Sequence, residues 1–299
     1  MGFLKRKRNS LDATSIPDGL WMKCAACQQT VYRAEVEENL HVCPACGHHY
    51  RIGARQRVAL LTDPETFEET WTDLEAADPL EFRVGEESYK DRIDRARRES
   101  GLRDALLSGF AAIEGFRIAL GVMESSFIMA SMGSVLGEKF CRLVRDAIRE
   151  QVPLVVFAAS GGARMQEGIL ALMQMAKTAD AVREINAAGL PYISVLTDPT
   201  SGGVLASFAG LGDIILAEPG AYIGFAGTRL IEGALRVKLP EGFQRAEYQF
   251  ENGFIDQIVN RTEMRSFLAR LLRCLSPQPA RDAKEAMGAS EAPPNAESE

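Results

Sequence analysis

Twice in this chain an apolar run that reads as a buried strand stops at a Gly-Gly pair and passes into a helical pattern. The segments are VPLVVFAASGGARMQEG (152–168) and LPYISVLTDPTSGGVLASFAG (190–210). Strands alternating with helices in this way predict a mainly parallel α/β sheet with helices on its outside. The same pattern constrains the chemistry. A helix that opens at paired glycines presents backbone N–H groups and the positive end of its dipole, with no side chain in the way of an approaching oxygen. Two such corners fit a reaction in which a carbonyl becomes an enolate, because preorganised amides stabilise charge developing on oxygen. For either pair alone, a tight strand-to-helix turn is the plainer reading.

The neighbouring segments extend the alternation. DALLSGFAAIEGFRIALGVMESSFIMA (104–130) reads as two strands joined at an Ile113–Phe116 turn, and SMGSVLGEKFCRLVRDAIRE (131–150) has apolar residues at helical spacing. A helix is predicted from about 163 to 188. Its stripe through Ile169, Leu172, Met173, Ala176 and Val182 reads as core packing. The polar stretch from 56 to 100 ends in YKDRIDRARRES (89–100), a surface helix.

Near the start, Cys24-x2-Cys27 and Cys43-x2-Cys46 are separated by fifteen residues. Each pair brings two thiolates together in one turn, and the four can close a tetrahedral sulfur site around zinc. With all four positions filled by protein, the metal is structural, holding together a ribbon too small to fold alone. Two disulfides are the alternative, disfavoured in a reducing compartment. His41, His48 and His49 lie in or beside this module and are the only histidines, so residues 56–275 contain none. A Ser-His-Asp or Cys-His device in that body is thereby excluded.

These signals divide the chain into a flexible basic lead-in (1–20), a zinc ribbon (21–55), a catalytic body (56–275) and a disordered tail (276–299). The tail is rich in Pro, Ala, Ser and Glu. Residues 1–57 carry nine Lys/Arg against five Asp/Glu, so of the net charge of −7 the remainder holds −11. A basic head on an acidic body leaves nucleic-acid binding as a secondary role. No apolar stretch approaches the roughly 18–20 residues needed to cross a bilayer, and the basic start is not followed by a secretory core. No membrane association and a cytoplasmic location are expected.

The ribbon followed by SMGSVLGEKF, FAASGGARMQEG, LMQMAKT, GLPYISVLTDPTSGGVLASFA, IGFAGTRLIE, LPEGFQRAEY and NGFIDQIV closely resembles the β subunit of the bacterial acetyl-CoA carboxylase carboxyltransferase, from about Ile16 to about Arg270. The resemblance implies a crotonase-like fold of twisted sheets with surrounding helices. It implies transfer of a carboxyl group from carboxybiotin on a carrier protein to acetyl-CoA, giving malonyl-CoA, with structural zinc bound by Cys24, Cys27, Cys43 and Cys46. It assigns catalysis to the oxyanion turns Gly161–Gly162 and Gly202–Gly203, and substrate binding to Ser131, Met132, Gly133, Ala163 and Arg164. For Arg164, a salt bridge to Glu167 or to another acid at a helix end stays open as the structural alternative. One crotonase-like unit supplies half of such a site, so an α subunit in an α2β2 assembly is implied. Biotin carboxyl carrier protein and biotin carboxylase are implied in the wider complex. A stand-alone acyl-CoA decarboxylase or hydratase would use the same turns but needs an acid or base that the body does not offer. A zinc-ribbon nucleic-acid-binding protein is the alternative of another class.

Overall fold

The computed structural model describes residues 20–275, so the lead-in and the tail fall outside the described residues, apart from Leu20. The chain forms two compact units that divide between Tyr50 and Arg51.

In the small unit, the antiparallel strands Trp21–Lys23 and Thr30–Tyr32 are followed by the short helix Arg33–Glu38. Its two Cys-x2-Cys turns are built alike. The Gln28 amide donates to the Cys24 carbonyl at 3.0 Å and the Gly47 amide to the Cys43 carbonyl at 2.9 Å. The Cys24 and Cys43 amides donate in turn to Gln29 at 2.9 Å and His48 at 2.8 Å. Each turn needs a left-handed residue, supplied by Gln28 (φ 62°) and Gly47 (φ 74°).

The large unit is built on an eight-stranded sheet. Its order runs Gln257–Ile258, Ile214–Ala217, Tyr192–Ser201, Leu154–Ser160, Phe116–Met123, Leu106–Ile113, Glu68–Glu69, with Ile223–Gly224 paired to the end of Tyr192–Ser201. Leu106–Ile113 and Phe116–Met123 form the expected antiparallel hairpin, and from Phe116–Met123 to Gln257–Ile258 every pairing is parallel.

Both faces are covered, which is why these strands read as unbroken apolar runs. With side chains alternating along a strand, Leu154, Val156 and Ala158 pack into the core that includes Phe140, Leu143 and Val144 of the helix Ser134–Glu150. Val155 and Phe157 face the other core, with Val58 and Leu61 of the helix Ala54–Leu61 and Leu268 and Leu272 of the helix Arg261–Leu275. A buried carboxylate, Glu218, ties those two helices to the sheet: it accepts from Arg57 at 2.7 Å and from Arg261 at 2.9 and 2.7 Å.

Two expectations are corrected. The helix after the first glycine pair starts at Ile169, not near 163, because Ala163 bridges to Met132 in extended pairing and a 3-10 turn, Met165–Glu167, intervenes. Gly168, at φ 53°, restarts the chain as the helix Ile169–Ala187. Of the stripe on that helix only Val182 packs in the core: Ile169, Leu172 and Met173 are exposed, and the buried face is Ala171, Gln174, Thr178, Ala181, Val182 and Ile185.

Candidate active site and metal centre

At the carboxyl ends of Leu154–Ser160 and Tyr192–Ser201 the two glycine pairs meet. A β-carbon placed on Gly162 (φ 113°) would lie 3.4 Å from the Gly202 α-carbon and 3.6 Å from the Gly203 nitrogen. One placed on Gly202 (φ 59°) would lie 3.0 Å from the Gly162 α-carbon. At Gly202 a side chain would press on the Gly162 backbone, and the positive φ at both positions would strain any residue with a β-carbon.

The two pairs differ in their hydrogen bonding. The Gly161 amide donates to the Met129 carbonyl at 2.8 Å and the Gly162 amide to Ser160 Oγ at 3.0 Å, so both expected oxyanion donors of the first pair are engaged inside the protein. The chain turns back on itself there, and its amides close the turn. Gly202 and Gly203 do open a helix, but it spans only Gly202–Leu205. One turn carries little macrodipole, so any oxyanion stabilisation rests on local amides.

The expected substrate-binding residues gather beside these two turns. The Met132 amide donates to the Gly162 carbonyl and the Arg164 amide to the Met132 carbonyl, each at 2.8 Å, joining the two segments as a short parallel bridge. Met132 and Arg164 are wholly buried and Ser131 nearly so. The Arg164 guanidinium donates to Asp104 Oδ2 and Oδ1 at 2.8 and 3.2 Å, to the Ser131 carbonyl at 2.7 Å, to Ser131 Oγ at 3.3 Å and to Tyr89 Oη at 3.2 Å. All five N–H donors of Arg164 are thus engaged within the protein. The alternative partner Glu167 stands at 3.5 Å, and the principal one is Asp104. Burial alone would lower the guanidinium's pKa, but the Asp104 charge holds it above the ordinary arginine value.

Glu167 completes the scaffold. It accepts from Tyr89 Oη and from the Ser134 amide, both at 2.6 Å, placing a carboxylate at the N-terminus of Ser134–Glu150. A β-carbon on Gly133 would collide with that carboxylate. Burial first, then the Glu167 hydrogen bond, pushes the Tyr89 phenol above its usual range, so it stays protonated. Tyr89 and Asp104 escape sequence reading because they join Arg164 from 75 and 60 positions away.

In the small unit, the Sγ atoms of Cys24, Cys27, Cys43 and Cys46 all lie within 4.8 Å of one another. Cys24 and Cys46 are 3.8 Å apart at sulfur, far beyond a disulfide bond and equal to the edge of about 3.8 Å expected for a tetrahedron with Zn–S bonds near 2.3 Å. The residues fit a four-thiolate zinc site, and zinc bound there would cross-link the two turns.

Residues 55–296 match the carboxyl transferase domain family, and residues 21–46 match the acetyl-CoA carboxylase zinc finger domain. The chain is 50% identical over 280 residues to the acetyl-coenzyme A carboxylase carboxyl transferase subunit beta of Pelobacter propionicus, covering 92% of this chain and 98% of that protein. It is 50% identical to the subunit of the same name from Carboxydothermus hydrogenoformans, covering 86% and 90%. A Natranaerobius thermophilus protein named as subunits beta/alpha is 49% identical over 89% of this chain, which spans 43% of that longer relative. Among solved structures, the transcarboxylase 12S hexamer core aligns with a TM-score of 0.64 at 22% identity, over 81% of this chain and 44% of that one. A Pseudomonas malonate decarboxylase hetero-dimer aligns at 0.57 and 23%, over 79% and 95%. These two likenesses establish the shared fold.

Proposed function

We propose, from the premise that this chain belongs to the carboxyl transferase family and carries the acetyl-CoA carboxylase zinc finger, that it is the β-type subunit of an acetyl-CoA carboxylase carboxyltransferase. It transfers the carboxyl group of carboxybiotin, borne on a carrier protein, to the methyl carbon of acetyl-CoA, yielding malonyl-CoA for fatty acid synthesis in the cytoplasm. The observation that carries the reading is 50% identity along nearly the full length of the Pelobacter subunit, combined with two glycine-paired turns that meet at Gly162 and Gly202–Gly203.

The methyl carbon of a thioester attacks only after it has lost a proton, and the charge then resides on the thioester oxygen. The biotin ring supplies the carboxyl group and, once relieved of it, a nitrogen able to take that proton. What remains for the protein is to align the reactants and stabilise the enolate oxygen. The histidine-free body suits that division of labour. Backbone amides at Gly202–Gly203 serve as donors, and the Arg164–Asp104 pair fixes the facing segment.

A partner completes the site. Met165, Ile169, Leu172 and Met173 are large apolar side chains left exposed, three of them on one face of the helix that follows the first glycine pair. An α-type subunit covering that face, in an α2β2 assembly served by biotin carboxyl carrier protein and biotin carboxylase, accounts for it. The Natranaerobius relative that joins beta and alpha in one chain supports this pairing. The test is carboxyl transfer from carboxybiotin to acetyl-CoA by the isolated chain, by an α-type subunit and by the two together. Malonyl-CoA formed only by the mixture is expected. Full turnover by the isolated chain would refute the shared site.

A further inference from the structure

Ile128, Met129 and Ala130 carry φ angles of 47°, 55° and 47°. Three successive left-handed residues with β-carbons are unfavourable and persist only where their surroundings hold them. Here each carbonyl of the run is held. Ser131 Oγ donates to Ile128, the Gly161 amide to Met129 and Ser160 Oγ to Ala130, each at 2.8 Å. The run is thus built against the end of the strand that delivers Gly161 and Gly162.

Its product is one exposed side chain. Met129 is 66% exposed, yet a β-carbon on Gly161 would sit 3.3 Å from its Cε and 3.4 Å from its Cβ. The thioether therefore lies against Gly161, in the space that a side chain at 161 would otherwise need. A glycine at 129 would adopt this backbone freely. What the position gains from methionine is the side chain itself, an unbranched and adaptable filler of irregular space.

We propose that Met129 is a specificity-determining residue that limits the length of the acyl group accepted, its side chain beside Gly161 blocking chains longer than acetyl. The proposal rests on the carboxyl-transfer reading above. It predicts that the volume at 129, not the backbone turn, decides acceptance.

The test compares parent, Met129→Gly and Met129→Leu chains, each assembled with the α-type subunit, in kcat and KM for acetyl-, propionyl- and butyryl-CoA. Met129→Gly suits the left-handed backbone, and its thermal unfolding is expected to match or exceed the parent's. Its preference for acetyl over butyryl, as a ratio of kcat/KM, should fall about tenfold or more, the discrimination commonly attached to a few methylenes in an apolar pocket. The fall should arise from a better KM for the longer acyl chains, with acetyl-CoA turnover still measurable. Met129→Leu, which keeps the bulk, should retain the parental preference. An unchanged ratio in Met129→Gly, or a Leu variant as permissive as the Gly variant, overturns the assignment while parental acetyl-CoA turnover leaves the function standing. A parent complex with no acetyl-CoA turnover overturns both.

Discussion

Arg164 meets both carboxylate oxygens of Asp104, at 2.8 and 3.2 Å, and neither side chain reaches solvent. The pair joins the segment after the first glycine pair to the start of the Leu106–Ile113 strand. Breaking a buried pair from one side leaves an uncompensated charge, so Arg164→Met should destabilise the fold by about 3–5 kcal/mol. Combining it with Asp104→Leu should cost much less than the sum of the single changes. Urea unfolding of the two single variants and the double variant checks the coupling; additive losses would contradict it.

Zinc analysis of the purified chain should return one equivalent, since four sulfurs lying within 4.8 Å of one another can close the coordination shell. Cys43→Ala should abolish tight binding and unfold the ribbon, given about 10 kcal/mol or more of metal-linked folding energy in modules of this kind. Near-parental zinc content in that variant would exclude Cys43 as a ligand.

On the helix Ser134–Glu150, hydrogen bonds from Lys177 first and Arg142 second hold the Glu138 carboxyl below its ordinary value of 4.5. The folded pKa is depressed, so the stabilisation is present above the unfolded pKa and is lost as pH falls through the folded value. Glu138→Gln should therefore lower stability at neutral pH and flatten its fall in the acid range below about 4.5. The pair links to Lys177 on the helix Ile169–Ala187 and is partly exposed, so the effect should be small and salt-sensitive. An unchanged acid limb of the stability curve would remove Glu138 from the account.

Local signals were the legible ones. The turn between Ile113 and Phe116, the alternation from 131 to 201 and the four cysteines each declare themselves within a few residues, through periodicity, glycine or ligand spacing. The apolar stripe at Ile169, Leu172 and Met173 was misread because periodicity shows that a helix has an apolar face and not what covers it. Likewise, two Gly-Gly pairs look alike in sequence, yet Ala163 pairs with Met132 and leaves the first pair without a helix of its own. The left-handed run at Ile128–Ala130 contains no glycine to announce it; three hydrogen bonds from distant or neighbouring groups impose it. Such tertiary override leaves no local mark.

The most direct measurement of the central claim, that reaction takes place where Gly162 and Gly202 meet, is kcat for malonyl-CoA formation by complexes carrying Gly202→Ala or Gly203→Ala. At Gly202 an added β-carbon meets the Gly162 backbone at 3.0 Å in a left-handed conformation, whereas at Gly203 its nearest neighbour is the mobile Met175 thioether, also at 3.0 Å. The account predicts a fall of about 10²–10³ in kcat for Gly202→Ala, the usual loss when an oxyanion donor is displaced, and a far smaller change for Gly203→Ala. Both variants should keep parental zinc content and partner binding. Parental kcat in such a Gly202→Ala complex would contradict the account and return the paired glycines to the role of tight turns.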